Sequence, residues 1–586
     1  MTGARLAVGI LLAAACGGGS GGSGTDPDAA APSPVALSIS PADPTVVVAN
    51  GAADAVAFVA TVELSDGTTE IADDATWSLA PPQLGDLAAA TGKFVASGTV
   101  AGAGTVTASA RGLTAQTTVT VRVDDVHAGT GVPADAADRF DTAPQPPGSA
   151  EAPALLYPLD GAVVPSTLAP VDVQWEGGNQ GDLYRVVVEA GLARATAYLA
   201  HDGPPFRYDW TVAASSWAVL KASAGGDPVT FRVDRWNAAD GQVYPSATRS
   251  ISVVQANVAG AIYYWDLSDG QILRITSAGR EDFIPYPPPK PDDPANRCVA
   301  CHTVSRDGSK MAAELWGGNE FGAIFDLSVD LTADPAPTIV PPDRYRALFS
   351  TFNPDATRLL INFENRLELI DAATGTVVPA MGAGLPAAGA AHPTWSPDGT
   401  AIAFIANHDG AWPVDFTLGD LAVIPVTGPD SFGAPVVLRA ADGMANAWPT
   451  FSPDSQWIAF GRGTHSRGMR DGTPHPGSLW LIARDGTNAV ELVRANGGPG
   501  AANSYLPNFS PFDEGGYFWL AFYSTRDYGN AYAGTKGTGR RQLWVTAIQN
   551  APAPGEDPSA PAYWLPGQDV ATDNMSAYWA VEPPVN

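Results

Sequence analysis

Short runs of alternating apolar and polar residues, separated by turn residues, dominate the chain from position 36 onward. Val56-Ala57-Phe58-Val59-Ala60-Thr61-Val62-Glu63-Leu64 ends at the turn Ser65-Asp66-Gly67, and further runs follow across 36–123. A two-residue period turns one face of each strand toward a core, so this stretch predicts a β-sandwich with Trp77 in its core. A Pro/Ala/Asp-rich segment over 124–150 reads as a linker. The alternation resumes over 151–255, with Val171–Trp175, Tyr184–Val188 and Thr230–Asp234 as strands, and predicts a second, fibronectin-III-like sandwich.

From 256 to 586 the pattern becomes a repeat. Pro393-Thr394-Trp395-Ser396-Pro397-Asp398-Gly399 precedes the apolar run Ala401–Ile405, and Pro449-Thr450-Phe451-Ser452-Pro453-Asp454 precedes Trp457–Phe460. Related copies stand at Ser350–Asp355 and Pro507–Pro511, and a fifth, His302-Thr303-Val304-Ser305-Arg306-Asp307-Gly308, aligns with Pro393–Gly399 position for position. Each corner is a tight turn between antiparallel strands, because Pro presets φ and Asp bonds back to the backbone. Two more strands, such as Ser478–Ile482 and Ala489–Val493, complete a four-stranded unit, the signature of a propeller blade. A sixth blade is expected from both ends of the segment: Gly260–Trp265 and Gln271–Ile275 outside, Met575–Ala580 inside. The predicted fold class is therefore all-β: two sandwiches followed by a six-bladed β-propeller, with seven blades the alternative.

The repeat resembles the TolB-type (WD40-like) propeller unit. The stretch from Thr61 through Val123, with its "SDGTTE" turn and Trp77, is similar to the group 2 bacterial immunoglobulin-like domain, which implies a spacer or adhesive module.

Composition narrows the functions. The 586 residues carry 62 Gly and 52 Pro and a net charge of −29, with no Lys/Arg-rich run, which argues against binding nucleic acid. At the N-terminus, Arg5 and the apolar run Leu6–Ala15 have the length of a signal-peptide core. Leu12-Ala13-Ala14-Ala15-Cys16 resembles a bacterial lipobox, departing from it in having Ala13 where leucine is usual. The resemblance implies removal of 1–15 and lipid on Cys16, with residues 16–35, Gly/Ser-rich at their start, as a flexible tether. Gly17 does not resemble an inner-membrane retention signal, so the expected location is the outer membrane, on its periplasmic or cell-surface face, with the lipid as the only membrane attachment.

The other two of the three cysteines form Cys298-Val299-Ala300-Cys301-His302. In Cys-x-x-Cys-His two thiols form thioethers with haem vinyl groups and the adjacent imidazole takes the iron, so Cys298 and Cys301 are the expected attachment points of one haem c and His302 its proximal ligand. A disulfide, a thiol redox pair or a zinc site are the alternatives. Against them stand the adjoining His, the lack of a thioredoxin-like βαβ pattern and the lack of a fourth zinc ligand at finger spacing. The motif occupies the start of a blade strand; in a TolB-type blade this strand is the innermost, so the resemblance implies that the motif lies at the mouth of the central channel, where Phe349, His392, Trp448 and Leu506 share the register of Cys301. His392, Met444 and Tyr505 are the candidates for a distal ligand.

A propeller of this repeat interrupted by Cys-x-x-Cys-His is similar to the middle domain of the hydrazine synthase α subunit family, over about residues 256–586; only the haem motif carries over. Three functions follow as expectations. The first is electron transfer or redox sensing with a redox partner protein or small molecule. The second is a haem enzyme acting on a small molecule at an open iron position, so the sequence leaves enzymatic activity open. The third is a haem-free binding or scaffold propeller with an adhesive immunoglobulin-like module.

Overall fold

A computed structural model describes residues 31–582 except 204, 259, 277–278, 319–320, 379–383 and 471–472. Cys16 and the expected signal peptide lie outside the described residues.

The C-terminal half is a six-bladed propeller. Its first blade joins Ala261–Asp266, Gln271–Thr276 and Gly279–Asp282 to the C-terminal strand Asn574–Ala580, which pairs antiparallel with Ala261–Asp266 and closes the ring. The second blade runs from Val299–Val304 to Val340–Arg346, the third from Phe349–Phe352 to Arg366–Asp371, and the fourth from Ala391–Trp395 to Val436–Arg439. The fifth spans Ala445–Phe451 to Val490–Glu491, and the sixth Ser504–Glu514 to Tyr563–Trp564. Neighbouring innermost strands touch all the way around, so none of the blades exposes its inner edge.

The repeated corner explains why these strands turn where they do. Ser396 Oγ donates to Asp398 Oδ1 at 2.6 Å and accepts from the Ala401 N–H at 3.0 Å, while the Thr400 N–H donates to Asp398 Oδ1 at 2.9 Å. Ser305 and Asp307 make the same bonds, at 2.6 Å to each other, 2.9 Å from the Lys310 N–H and 3.0 Å from the Ser309 N–H. In the third blade Asn353 stands in for the serine, its Oδ1 accepting from the Arg358 N–H at 2.8 Å. The turn is thus built from side chains only two to five residues away, which makes it local and legible.

The N-terminal part is two β-sandwiches. Trp77 is buried in the first, tilted against Phe58 at 6.0 Å between ring centroids, and Trp175 is fully buried in the second. The long strand Leu113–Ala128 pairs in parallel with Ala193–Ala200, fusing the two sandwiches through one continuous sheet. The segment 124–150, expected as a linker, is packed at two places: 124–128 finish that strand, and Ala136 of the short helix Ala136–Arg139, with the following Phe140, is buried against Leu183 and Val243, while most of 141–150 is exposed. A helix the alternation did not predict, Ala214–Ser223, buries Trp217, whose Nε1 donates to the Leu168 carbonyl at 2.9 Å.

The second sandwich is docked on the propeller. Asn530 of the sixth blade is buried; its Nδ2 donates to the Arg207 and Tyr208 carbonyls at 2.9 Å each, and its N–H donates to Gln174 Oε1 at 3.0 Å. Among the described residues no helix is long and apolar enough to cross a membrane.

Candidate functional site at the channel mouth

Five innermost strands share an unusual backbone feature. Cys301, His392, Trp448, Leu506 and Ser576 have φ of 44°, 49°, 56°, 48° and 55°, left-handed values that non-glycine residues seldom adopt. In the second, fourth, fifth and sixth blades each sits inside a break of strand register, between Ala300 and Thr303, Ala391 and Thr394, Ala447 and Thr450, and Tyr505 and Asn508. Such bulges cost of order 1 kcal/mol or more per residue and re-aim a side chain. Here all five, together with Phe349 of the third blade, line a single cavity of about 380 Å³ at the channel mouth. The register read from the repeat is the register of this ring, with Ser576 completing it in the first blade.

Cys298, Cys301 and His302 all line this cavity, and both thiols are unpaired. Backbone comes close around Cys298: a Cβ added at Gly270 would meet its Sγ at 3.4 Å, and one at Gly317 at 3.8 Å, both at positive φ. Burial, and then the carboxylate of Glu314, push both thiols up in pKa, Cys301 most strongly. Glu314 pairs across from Ala300 on the neighbouring strand.

The residues fit a covalently attached haem in two respects and depart in one. Two unpaired thiols at the right spacing border a cavity of cofactor-binding size. The cavity wall is rich in aromatic rings, including Trp265, Trp412 and Tyr578. The His302 imidazole, however, is buried edge-on to Tyr578 at 5.0 Å and directs Nε2 to the Tyr263 carbonyl at 3.2 Å. An imidazole nitrogen facing a carbonyl carries the proton, which leaves the lone pair on Nδ1, buried with no partner among the described residues. His302 therefore holds a spare nitrogen lone pair in the protein interior, but binding iron over the cavity requires the ring to turn. Burial lowers its pKa to about 4, keeping it neutral as a ligand must be. Among the described residues no three His, Cys, Asp or Glu side chains converge as a metal-ion cluster, so Cys298, Cys301 and His302 do not form a preassembled zinc site.

Of the three distal candidates, Tyr505 and Met444 do not line the cavity. Tyr505 donates its hydroxyl to the His475 carbonyl at 2.7 Å, and Met444 is exposed on a turn. His392 does line the cavity, but its Nδ1 accepts from the Trp448 N–H at 3.3 Å and its ring stacks on Trp448. Its lone pair is thereby spent. Several cavity residues were not singled out from the sequence, among them Met575, Glu314, Arg467 and Arg541. Met575 sits one position before Ser576 in a strand already predicted, so the repeat register would have found it; Glu314 lies on the predicted second strand beside the motif. Arg467 and Arg541 lie in loops outside the repeat, where alignment gives no signal.

No family model matches the chain. No curated protein matches it either. Among solved structures it is similar to a protein assigned as TolB from Agrobacterium tumefaciens, at 17% identity over 55% of this chain and 98% of that one, with a TM-score of 0.31. It is also similar to a quinonprotein alcohol dehydrogenase-like protein from Bacteroides thetaiotaomicron, at 9% identity over 73% and 99%, with a TM-score of 0.30. These likenesses concern the β-propeller fold and say nothing of the chemistry at the cavity.

Proposed function

We propose that this chain is an exported, lipid-anchored protein carrying one covalent haem in its propeller, and that it transfers electrons or senses redox state. The observation that carries the reading is the meeting of two unpaired thiols and a neutral imidazole, Cys298, Cys301 and His302, at the wall of an aromatic cavity of about 380 Å³. When bound, haem supplies a one-electron iron couple. The chain's own part is to hold the group by Cys298 and Cys301, to offer His302 as proximal ligand, and to limit water through the rings of Phe349, Trp448 and Tyr578. The immunoglobulin-like resemblance and Cys16 belong to the same reading, as spacer and anchor.

The test is a pyridine haemochrome spectrum and a haem-stained denaturing gel on protein exported from a host with cytochrome c maturation, beside Cys298→Ala/Cys301→Ala. Haem that survives denaturation in the parent alone, with a reversible one-electron couple, supports the proposal. No covalent haem sinks it and leaves a binding or scaffold propeller.

A second reading, a haem enzyme with an open iron position, is favoured by one observation: Tyr505 donates its hydroxyl to a backbone carbonyl, His392 Nδ1 accepts a backbone N–H, and Met444 faces solvent. High-spin spectra that shift on adding a small ligand support it, and a six-coordinate low-spin spectrum at every accessible pH counts against it.

A further inference from the structure

Cations are scarce in this chain, with 32 Lys and Arg against 61 Asp and Glu, yet two arginines line the apolar cavity. Arg467 lies in the loop between Trp457–Gly463 and Gly477–Ala483 of the fifth blade, and Arg541 immediately precedes Gln542–Gln549 of the sixth. Each has one carboxylate partner among the described residues. Arg467 Nη2 is 2.6 Å from Asp415 Oδ1, and Arg541 Nη1 is 3.3 Å from Asp573 Oδ1. A guanidinium has five N–H donors, so these contacts leave most of each fork available. Arg467 Nε is buried with no hydrogen-bond partner among the described residues, and the Arg541 side chain is only 12% exposed. Both guanidiniums act on the hydroxyl of Tyr523, itself a cavity residue, which burial pushes up to about 12 against their opposing pull. The arrangement is two charged forks and a phenol facing one cavity.

Its position in the ring suggests what it holds. In a six-bladed ring the fifth blade is three steps from the second in either direction, so Arg467 stands across the channel from Cys298 and Cys301, with Arg541 one blade further round. In a haem joined through its vinyl positions, the two propionates leave the opposite edge of the macrocycle. We propose that Arg467 and Arg541, with Tyr523 beside them, form a carboxylate clamp for the haem propionates. This rests on the haem reading above. Forked guanidinium-to-carboxylate bonds in a water-poor cavity are the strong kind, and they hold the edge of the group remote from the thioethers.

The test uses full-length protein from a maturation host, comparing the parent with Arg467→Gln/Arg541→Gln, with Arg467→Lys/Arg541→Lys, and with Arg484→Gln, an arginine paired to Asp398 away from the cavity. Midpoint potential is followed from pH 5 to 8, and covalent haem by stained gel. Among the described residues the other titratable groups near the two arginines include Asp415, His465, Asp573, Tyr505 and Tyr523, with Glu314, His302, His392 and Tyr578 also on the cavity wall; a slope due to any of them is present in the parent too. Removing the clamp is expected to leave covalent haem in place, to lower the potential at pH 7 and to add a new pH-dependent slope from carboxyls released into the measured range. The lysine pair keeps the charge and falls between. Covalent haem with identical potential and pH profile in all four proteins overturns the clamp alone, whereas a parent without covalent haem overturns the haem reading and the clamp with it.

Discussion

His392 lies flat on Trp448, ring centroids 3.5 Å apart and planes 16° from parallel, and its Nδ1 accepts the Trp448 backbone N–H. The pair bridges two neighbouring blades at the channel mouth, where Phe349 meets both rings edge-on. The histidine is therefore a seam between blades.

Burial, with His408 nearby, holds His392 well below the usual histidine range. A base whose folded-state pKa is depressed binds its proton more readily when unfolded, so stability is complete above a pH of about 6.5 and is lost as the pH falls below it. His392→Phe is expected to cost about 1 kcal/mol at pH 7 through the unpartnered Trp448 N–H. It is also expected to flatten the acid limb of thermal stability between pH 6.5 and 4.5. Melting curves across that range check both; an acid limb as steep as the parent's shows that His392 does not titrate with unfolding.

Gly270 has φ of +68°, and a Cβ there would touch the Cys298 sulfur at 3.4 Å. Gly270→Ala is expected to lose about 1 kcal/mol to backbone strain. It should also lower the ratio of haem stain to protein stain, because the added methyl packs against the thiol that must reach its vinyl carbon. Gly443→Ala, with φ of +78° and open space around it, carries similar strain and leaves the haem ratio unchanged.

Asn530 ties the propeller to the second sandwich through the Arg207 and Tyr208 carbonyls, while its Oδ1 accepts from the Tyr532 and Ala533 N–H groups at 2.7 and 2.8 Å. Asn530→Ala leaves several buried backbone groups without partners and is expected to destabilise by about 2–3 kcal/mol. Limited proteolysis near residue 255 is expected to quicken. An unchanged cleavage rate together with an unchanged Tm shows that the docking does not depend on this side chain.

The blade count and the blade boundaries were legible because the corners are local. Ser396 with Asp398, and Ser305 with Asp307, close their turns within a few residues, so the same letters recur wherever the same turn is made. Trp77 and Trp175 announced their cores through alternation on either side. The strand pairing of 124–128 was not legible, since the parallel partner of 123–128 is Ala193–Tyr198, some 70 residues away. The helix Ala214–Ser223 carries no repeat or cap to announce it.

At the site, the sequence by itself determined which atoms are present and at what height: two thiols and an imidazole at the start of an innermost strand, with His392 in the same register two blades further round. Which way those atoms face was decided only by the tertiary structure. His302 turns to the Tyr263 carbonyl, His392 to Trp448 and Tyr505 to His475, because each finds its partner on an element distant in sequence. Arg467 and Arg541 reach the cavity from loops that belong to no repeat. Turn chemistry is settled within a few residues, whereas the aim of a buried polar side chain is settled by the packing of blades that meet only once the ring has closed.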